Sequence, residues 1–351
     1  MSSNTIVYLC PGQGAQSVGM GRTWHGSSPI AAKTFDAAHA VLAKLPSWAG
    51  SKSIADLCFD GPAEQLDRTD VSQPALFVCG VACARALGEQ QVDATLRATA
   101  GLSLGEYTAL VIAGALDFGD GLRLVAERGR LMQLAAESSK GGMVALIGGT
   151  EEQASQICTE AAQGEVLVCA NFNAPGQIVI SGHATACDRA QESAAKIGVR
   201  ASRLTVAGAF HSPLMTPAAE GLARALEQIE IRPPRCEVWS NVTAKRHDGQ
   251  DPASIKKLLV EQLVSPVRWS QGCEDLIATV AASGGASFHE VAPGTVLKGL
   301  MRRINRSVEV TSHDQVSQVS QVSQAGSADA ADSRDGRDRP DQSARVEQAK
   351  A

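Results

Sequence analysis

The sequence predicts an α/β protein: a larger, hydrolase-like domain with a mainly parallel sheet, and a ferredoxin-like subdomain inserted into it. Three observations predict this. Strand-like and helix-like patterns alternate along the chain as far as about residue 311. A βαββαβ rhythm interrupts them in the middle. The α/β alternation then resumes. In chain order, residues 5–10 are a short apolar run before a glycine-rich turn, as in a buried strand. Residues 74–87 read as a buried helix, 98–100 as the end of a short strand before Gly101, and 106–115 and 118–136 as helices. The inserted unit follows, with strands at 143–147, 166–171, 177–181 and 202–206 and helices at 151–162 and 184–197. A turn at Asn173-Ala174-Pro175-Gly176 joins its two middle strands. Beyond Pro213, Leu214, Ala218, Leu222, Leu226 and Ile229 recur at helical spacing, and 236–239 and 287–291 read as further strands. The expected domains are 1–137 with 208–311, the insert 138–207, and a disordered tail 312–351.

Composition narrows the function. The chain has 351 residues, 44% hydrophobic, with 37 acidic and 32 basic residues giving a net charge of −5. That length suits about two folding units. The mildly acidic balance argues against a nucleic-acid binder. No run of 18 apolar residues occurs, so no membrane span is expected. The first residues do not read as a secretory signal. Nine scattered cysteines without a C-x-x-C pair suggest neither disulfides nor a zinc site, and a reducing cytoplasm is the expected location. The tail lacks Leu, Ile, Phe, Trp and Tyr and contains a Gln-Val-Ser repeat over 315–324, too little apolar surface to offset ordering.

Four features carry chemistry. Gly101-Leu102-Ser103-Leu104-Gly105 matches G-x-S-x-G, the spacing that exposes a serine on a sharp strand-to-helix turn. The following helix offers N–H groups to a developing oxyanion. A glycine-rich turn with a capping serine is the plainer reading, and the strand before and helix after favour the functional one. His211, in Gly208-Ala209-Phe210-His211-Ser212-Pro213, is the one histidine in a loop between strand and helix, where a base for Ser103 would sit. No clear Asp lies between Ser103 and His211, unlike the α/β-hydrolase order. Arg128 falls in the middle of the apolar face formed by Leu124, Val125, Leu131, Met132 and Ala135. A cation there needs an anion, either an internal partner or a substrate carboxylate. Pro11-Gly12-Gln13-Gly14-Ala15-Gln16 lacks the signatures of a phosphate or dinucleotide loop, but its N–H groups can serve an oxyanion.

Taken with Ser-Gln-Pro-Ala-Leu at 72–76, Gly-Leu-Ser-Leu-Gly-Glu-Tyr at 101–107, Arg-Gly-Arg-Leu-Met-Gln at 128–133, Asn-Phe-Asn-Ala-Pro-Gly-Gln at 171–177, Phe-His-Ser-Pro-Leu-Met at 210–215, Ser-Asn-Val at 240–242 and Glu-Val-Ala-Pro-Gly at 290–294, these features form an ordered set. The sequence resembles the malonyl-CoA:acyl carrier protein transacylases of fatty acid synthesis, and is similar to the acyltransferase domains of polyketide synthases. The resemblance runs from about Thr5 to Ile304. It implies Ser103 as the nucleophile that carries the acyl group and His211 as general base and acid. It implies an oxyanion hole from the N–H groups of Gln13 and Leu104, and Arg128 as the clamp for the malonyl carboxylate. It also implies that Gln262 orients the histidine through its backbone carbonyl, with Asn241 in a supporting contact. Phe210 resembles the bulky residue of malonyl-selective members. Malonyl-CoA as substrate, acyl carrier protein as partner, no cofactor or metal, and a monomer are the corresponding expectations. Leu102 departs from the pattern, because the family usually has histidine before the serine. Two rivals are a serine hydrolase, which would release free acid without a carrier, and a non-catalytic carrier-docking subunit, for which Leu102 would mark a decayed site.

Overall fold

The computed structural model describes residues 5–48 and 51–316. Nine strands are found there: β1 Thr5–Cys10, β2 Thr95–Gly101, β3 Gly141–Ile147, β4 Leu167–Ala174, β5 Gln177–His183, β6 Arg200–Arg203, β7 Glu237–Trp239, β8 Ser287–Glu290 and β9 Val310–Ser312. Five form a parallel sheet in the order β7-β2-β1-β8-β9. Strand β1 explains why both faces of that sheet are covered. Its residues are almost continuously buried, as in a central parallel strand. Ile6, Tyr8 and Cys10 enter one core, and Val7 and Leu9 enter the other. The first core is built on the helix Thr69–Gln90, which packs against Pro29–Leu42 and Phe118–Ser139. The second core takes Leu276 and Val280 from the helix Trp269–Ala282, and Leu297 and Met301 from Val296–Ile304. The helix Thr69–Gln90 is long and apolar enough to cross a membrane, yet most of it is buried inside the fold, so it serves as a core helix.

The inserted unit is an antiparallel sheet in the order β4-β5-β3-β6. Its helices Glu151–Ala162 and Ala184–Lys196 pack on one face, over Val144, Leu146, Ile178 and Ile180. Met143 and Val179 on the other face join the first core. The insert is also tied to the body by backbone, since Phe172 N–H donates to the Val267 carbonyl and Val267 N–H to that of Ala170. The α/β architecture with a parallel sheet and a separate ferredoxin-like sheet is the one the sequence predicts.

Several boundaries differ from the sequence reading by a few residues: the helix read as 74–87 runs Thr69–Gln90, that read as 106–115 runs Gly105–Ile112, and the strand read as 166–171 runs Leu167–Ala174. Strand β6 covers Arg200–Arg203 rather than 202–206. Leu204 and Val206, inside the later range, pack against the first core after the ladder ends. Residues 312–316, expected to open the disordered tail, are part of the fold. Strand β9 pairs with β8, Trp24 Nε1 donates to the His313 carbonyl at 2.8 Å, and Gly294 N–H donates to Asp314 Oδ1 at 2.7 Å. This segment is held by polar contacts, which an apolar count does not register. The remainder of the expected tail, 317–351, lies outside the described residues.

The C-terminal ends of β1, β2 and β7 are neighbours in the sheet, and the loops leaving them carry Gln13, Ser103 and Asn241. Close packing there demands glycine. A Cβ on Gly101 would lie 1.9 Å from the Gly105 carbonyl carbon, and one on Gly105 would lie 2.1 Å from the Cys10 carbonyl oxygen. Both collisions are with backbone, which cannot turn aside. Gly105→Ala should therefore lower stability by about 3 kcal/mol or more, read as an earlier midpoint of urea unfolding. An unchanged midpoint would mean that the turn can open without cost.

Candidate active site

Strand β2 ends at Gly101 and the next helix, Gly105–Ile112, begins four residues later. Ser103 makes that turn with φ +52°, a left-handed conformation rare outside glycine. Asn241 holds it in place. Its Oδ1 accepts from Ser103 N–H at 2.6 Å, and its Nδ2 donates to the Gly101 carbonyl at 2.7 Å. The loop after β1 lies against the same turn, because Leu102 N–H donates to the Cys10 carbonyl and a Cβ on Gly12 would sit 2.3 Å from the Leu102 oxygen. Among the described residues the N–H groups of Gln13 and Leu104 have no hydrogen-bond partner. Leu102 uses its backbone here, and its side chain packs against the second core. The departure from the family's histidine leaves the turn intact.

Ser103 Oγ lies 2.8 Å from His211 Nε2. His211 is itself in the left-handed region, at φ +54°, in the loop that returns from the insert. Its Nδ1 lies 2.8 Å from the Gln262 carbonyl oxygen, which can only accept, so Nδ1 carries the proton and Nε2 faces the serine as a base. Gln262 caps the helix Pro252–Glu261. The last carbonyls of a helix lack intrahelical partners and carry the negative end of its dipole. One of them takes the place of the missing aspartate. Burial, and next the charge of Arg128, push the His211 pKa down to about 4, with the bond to Gln262 acting in the opposite sense. The imidazole is neutral at pH 7 and available as a base. Phe210, just before it, is buried in the first core.

Arg128 is 1% exposed, in the helix Phe118–Ser139. Its Nη1 donates to Gln73 Oε1 at 2.6 Å, and its Nη2 to Gln262 Oε1 at 2.8 Å and to Ser103 Oγ at 3.1 Å. The guanidinium carbon is 5.2 Å from the Tyr107 ring centroid. All these partners are neutral. Among the described residues no carboxylate forms an ion pair with it, and its Nε has no partner. Burial accordingly lowers its pKa. A dry cation beside a serine–histidine pair can donate hydrogen bonds to a negatively charged acyl group and pair with its charge.

Three residues of this site escaped the sequence reading. Glu106 is fully buried, and its carboxylate accepts from Asn241 N–H at 3.0 Å, Gln262 Nε2 at 2.8 Å and His247 Nε2 at 2.7 Å. Gln73 supports Arg128. The detectable signals were a carboxylate in the first turn of an apolar helix and Gln73 directly before a helix-interior proline. His247 stood in an unremarkable polar stretch, and only the fold reveals it.

The pKa of His211 fixes a pH dependence. A serine-directed sulfonyl fluoride needs Ser103 activated by the neutral imidazole. The rate of Ser103 modification should stay nearly flat from pH 7 to about pH 5 and fall below that. A midpoint near the ordinary histidine value would contradict the environment described here.

Comparison with known proteins agrees with the geometry. Residues 7–335 match the acyl transferase domain family. The malonyl CoA-acyl carrier protein transacylase of Escherichia coli K12 is 41% identical over 300 residues, spanning 85% of this chain and 92% of that protein. The structure of the Coxiella burnetii transacylase superimposes with a TM-score of 0.82 at 37% identity, covering 90% of this chain and 95% of that one. A malonyl-transacylase solved with a type II polyketide acyl-carrier protein gives 0.81 at 36% identity, covering 90% and 97%. The resemblance read from the motifs is borne out: matches this long, at these identities, mean that the chain belongs to the acyl transferase family.

Proposed function

We propose that this chain transfers a malonyl group from malonyl-CoA to the phosphopantetheine thiol of an acyl carrier protein, through a malonyl ester on Ser103, in fatty acid synthesis. One observation carries the malonyl part: Arg128 is buried, has no carboxylate partner among the described residues, and donates to Ser103 Oγ at 3.1 Å. The carrier as partner is supported by the names of the relatives and by the related complex with a carrier protein.

The reaction runs in two halves. His211 Nε2 takes the Ser103 proton as Oγ attacks the thioester carbonyl. The N–H groups of Gln13 and Leu104 receive the developing oxyanion, aided by the positive end of the helix Gly105–Ile112. The C–S bond breaks and His211 gives its proton to the CoA sulfur. The carrier thiol then loses its proton to His211 and attacks the ester, and Ser103 recovers that proton on leaving. Throughout, the malonyl carboxylate sits on Arg128. Phe210 narrows the acyl site against an α-methyl branch, a discrimination of about 1–3 kcal/mol for one methyl group. The route draws on no cofactor or metal. All its groups come from one chain, which supports a monomer as the working unit, and we place the reaction in the cytoplasm.

Intact-protein mass measurement after brief exposure to malonyl-CoA tests the reading. A malonyl adduct should map to Ser103 and vanish when holo carrier protein is added. Ser103→Ala should form none. Decay at the same rate without carrier would instead make the chain a hydrolase, and no adduct on folded protein would favour the docking role. Arg128→Ala should cost malonyl transfer about a hundredfold, and acetyl transfer far less. Equal losses would remove Arg128 as the clamp.

A further inference from the structure

The clamp depends on which way one amide faces. Gln262 Oε1 accepts from Arg128 Nη2 at 2.8 Å, while its Nε2 donates to the Ser103 carbonyl at 3.1 Å and to Glu106 Oε2 at 2.8 Å. Turned by 180°, the amide would set its oxygen against a carboxylate and a carbonyl, and its NH2 against the guanidinium. All four groups are buried, so each mismatch would persist without water to relieve it. The Glu106 carboxylate is the strongest acceptor acting on that choice. It is locked in turn, because Oε2 also accepts from Asn241 N–H and Oε1 is held by His247 Nε2. His247 therefore carries its proton on Nε2.

We propose that Glu106 is a positioning residue for substrate choice: through Nε2 of Gln262 it fixes that amide so that Oε1 aims the Arg128 guanidinium at the acyl site, with His247 bracing the carboxylate from behind. Glu106 itself hydrogen-bonds neither Ser103 Oγ nor Arg128, although its charge favours the protonated guanidinium from a distance. Its influence on selectivity passes through the Gln262 side chain, whereas its bond to Asn241 N–H supports the serine turn and so affects every acyl group alike. The proposal rests on the reading of Arg128 as the malonyl clamp.

The ratio of malonyl to acetyl transfer separates the two routes. Gln262→Leu keeps the backbone carbonyl that serves His211 and removes the amide. It should lower the ratio about tenfold. Glu106→Leu should lower it to a similar extent, and the double variant no further than either single one. Glu106→Gln still offers an amide oxygen to Gln262, and should hold the ratio within about threefold of the parent. An unchanged ratio in Gln262→Leu would overturn the proposal even if Glu106→Leu fails to fold. So would multiplying effects in the double variant, or a Glu106→Gln enzyme as unselective as Glu106→Leu. Arg128→Ala, measured alongside, keeps the two levels apart. If it loses both activities equally, the clamp reading fails. If it is malonyl-selective and Gln262→Leu is not, only the role of Glu106 fails.

Discussion

A guanidinium held dry without a carboxylate beside it is the condition around which the site is arranged. Burying a charge costs several kcal/mol unless it is paired and hydrogen-bonded. Arg128 has hydrogen bonds to two amide oxygens and a hydroxyl, and a ring face, but no ion-pair partner among the described residues. These neutral contacts hold it in position without cancelling its charge. In the proposed reaction an anionic acyl group supplies what is missing, so binding energy is kept for the substrate. The same charge contributes to the low basicity of His211. A carboxylate arriving on Arg128 offsets that charge beside the base.

The rest of the fold supplies rigidity to this arrangement. Ser103 and His211 both occupy the left-handed region, which side chains adopt only where surrounding bonds enforce it. For Ser103 the enforcement comes from Asn241 and from the close approach of the loop after β1. For His211 the Ser212 hydroxyl spans the turn by donating to the Ala209 carbonyl at 2.7 Å, while a helix-end carbonyl rather than a carboxylate orients the ring. With a carbonyl rather than a carboxylate on this imidazole, no ion-pair partner for Arg128 is introduced at the base. The one buried carboxylate nearby, Glu106, is occupied by three N–H donors that orient Asn241, Gln262 and His247.

Much of this was legible in the sequence, for reasons that differ by residue. Helix Glu151–Ala162 lies where the sequence reading put it, and the structure adds a local capping box, Thr150 with Gln153, at its start. Ser103 was legible from flanking glycines that backbone crowding requires. Arg128 stood out because a cation on an apolar face breaks the pattern. The specific roles of Gln262, Gln13 and Leu104 entered through family resemblance, since backbone groups leave no side-chain signature; that of Asn241 did so because its partners lie far away in sequence. Glu106 and His247 were missed because their partners lie more than 130 residues apart. The ordered segment through Asp314 was missed because polar atoms hold it.

The structure of the enzyme trapped as its malonyl-Ser103 ester would test the central claim most directly. The account predicts that the distal carboxylate accepts hydrogen bonds from both Nη1 and Nη2 of Arg128, with the thioester-derived carbonyl oxygen at the N–H groups of Gln13 and Leu104. A carboxylate turned to solvent, or bound to another cation while Arg128 keeps its neutral partners, would contradict it.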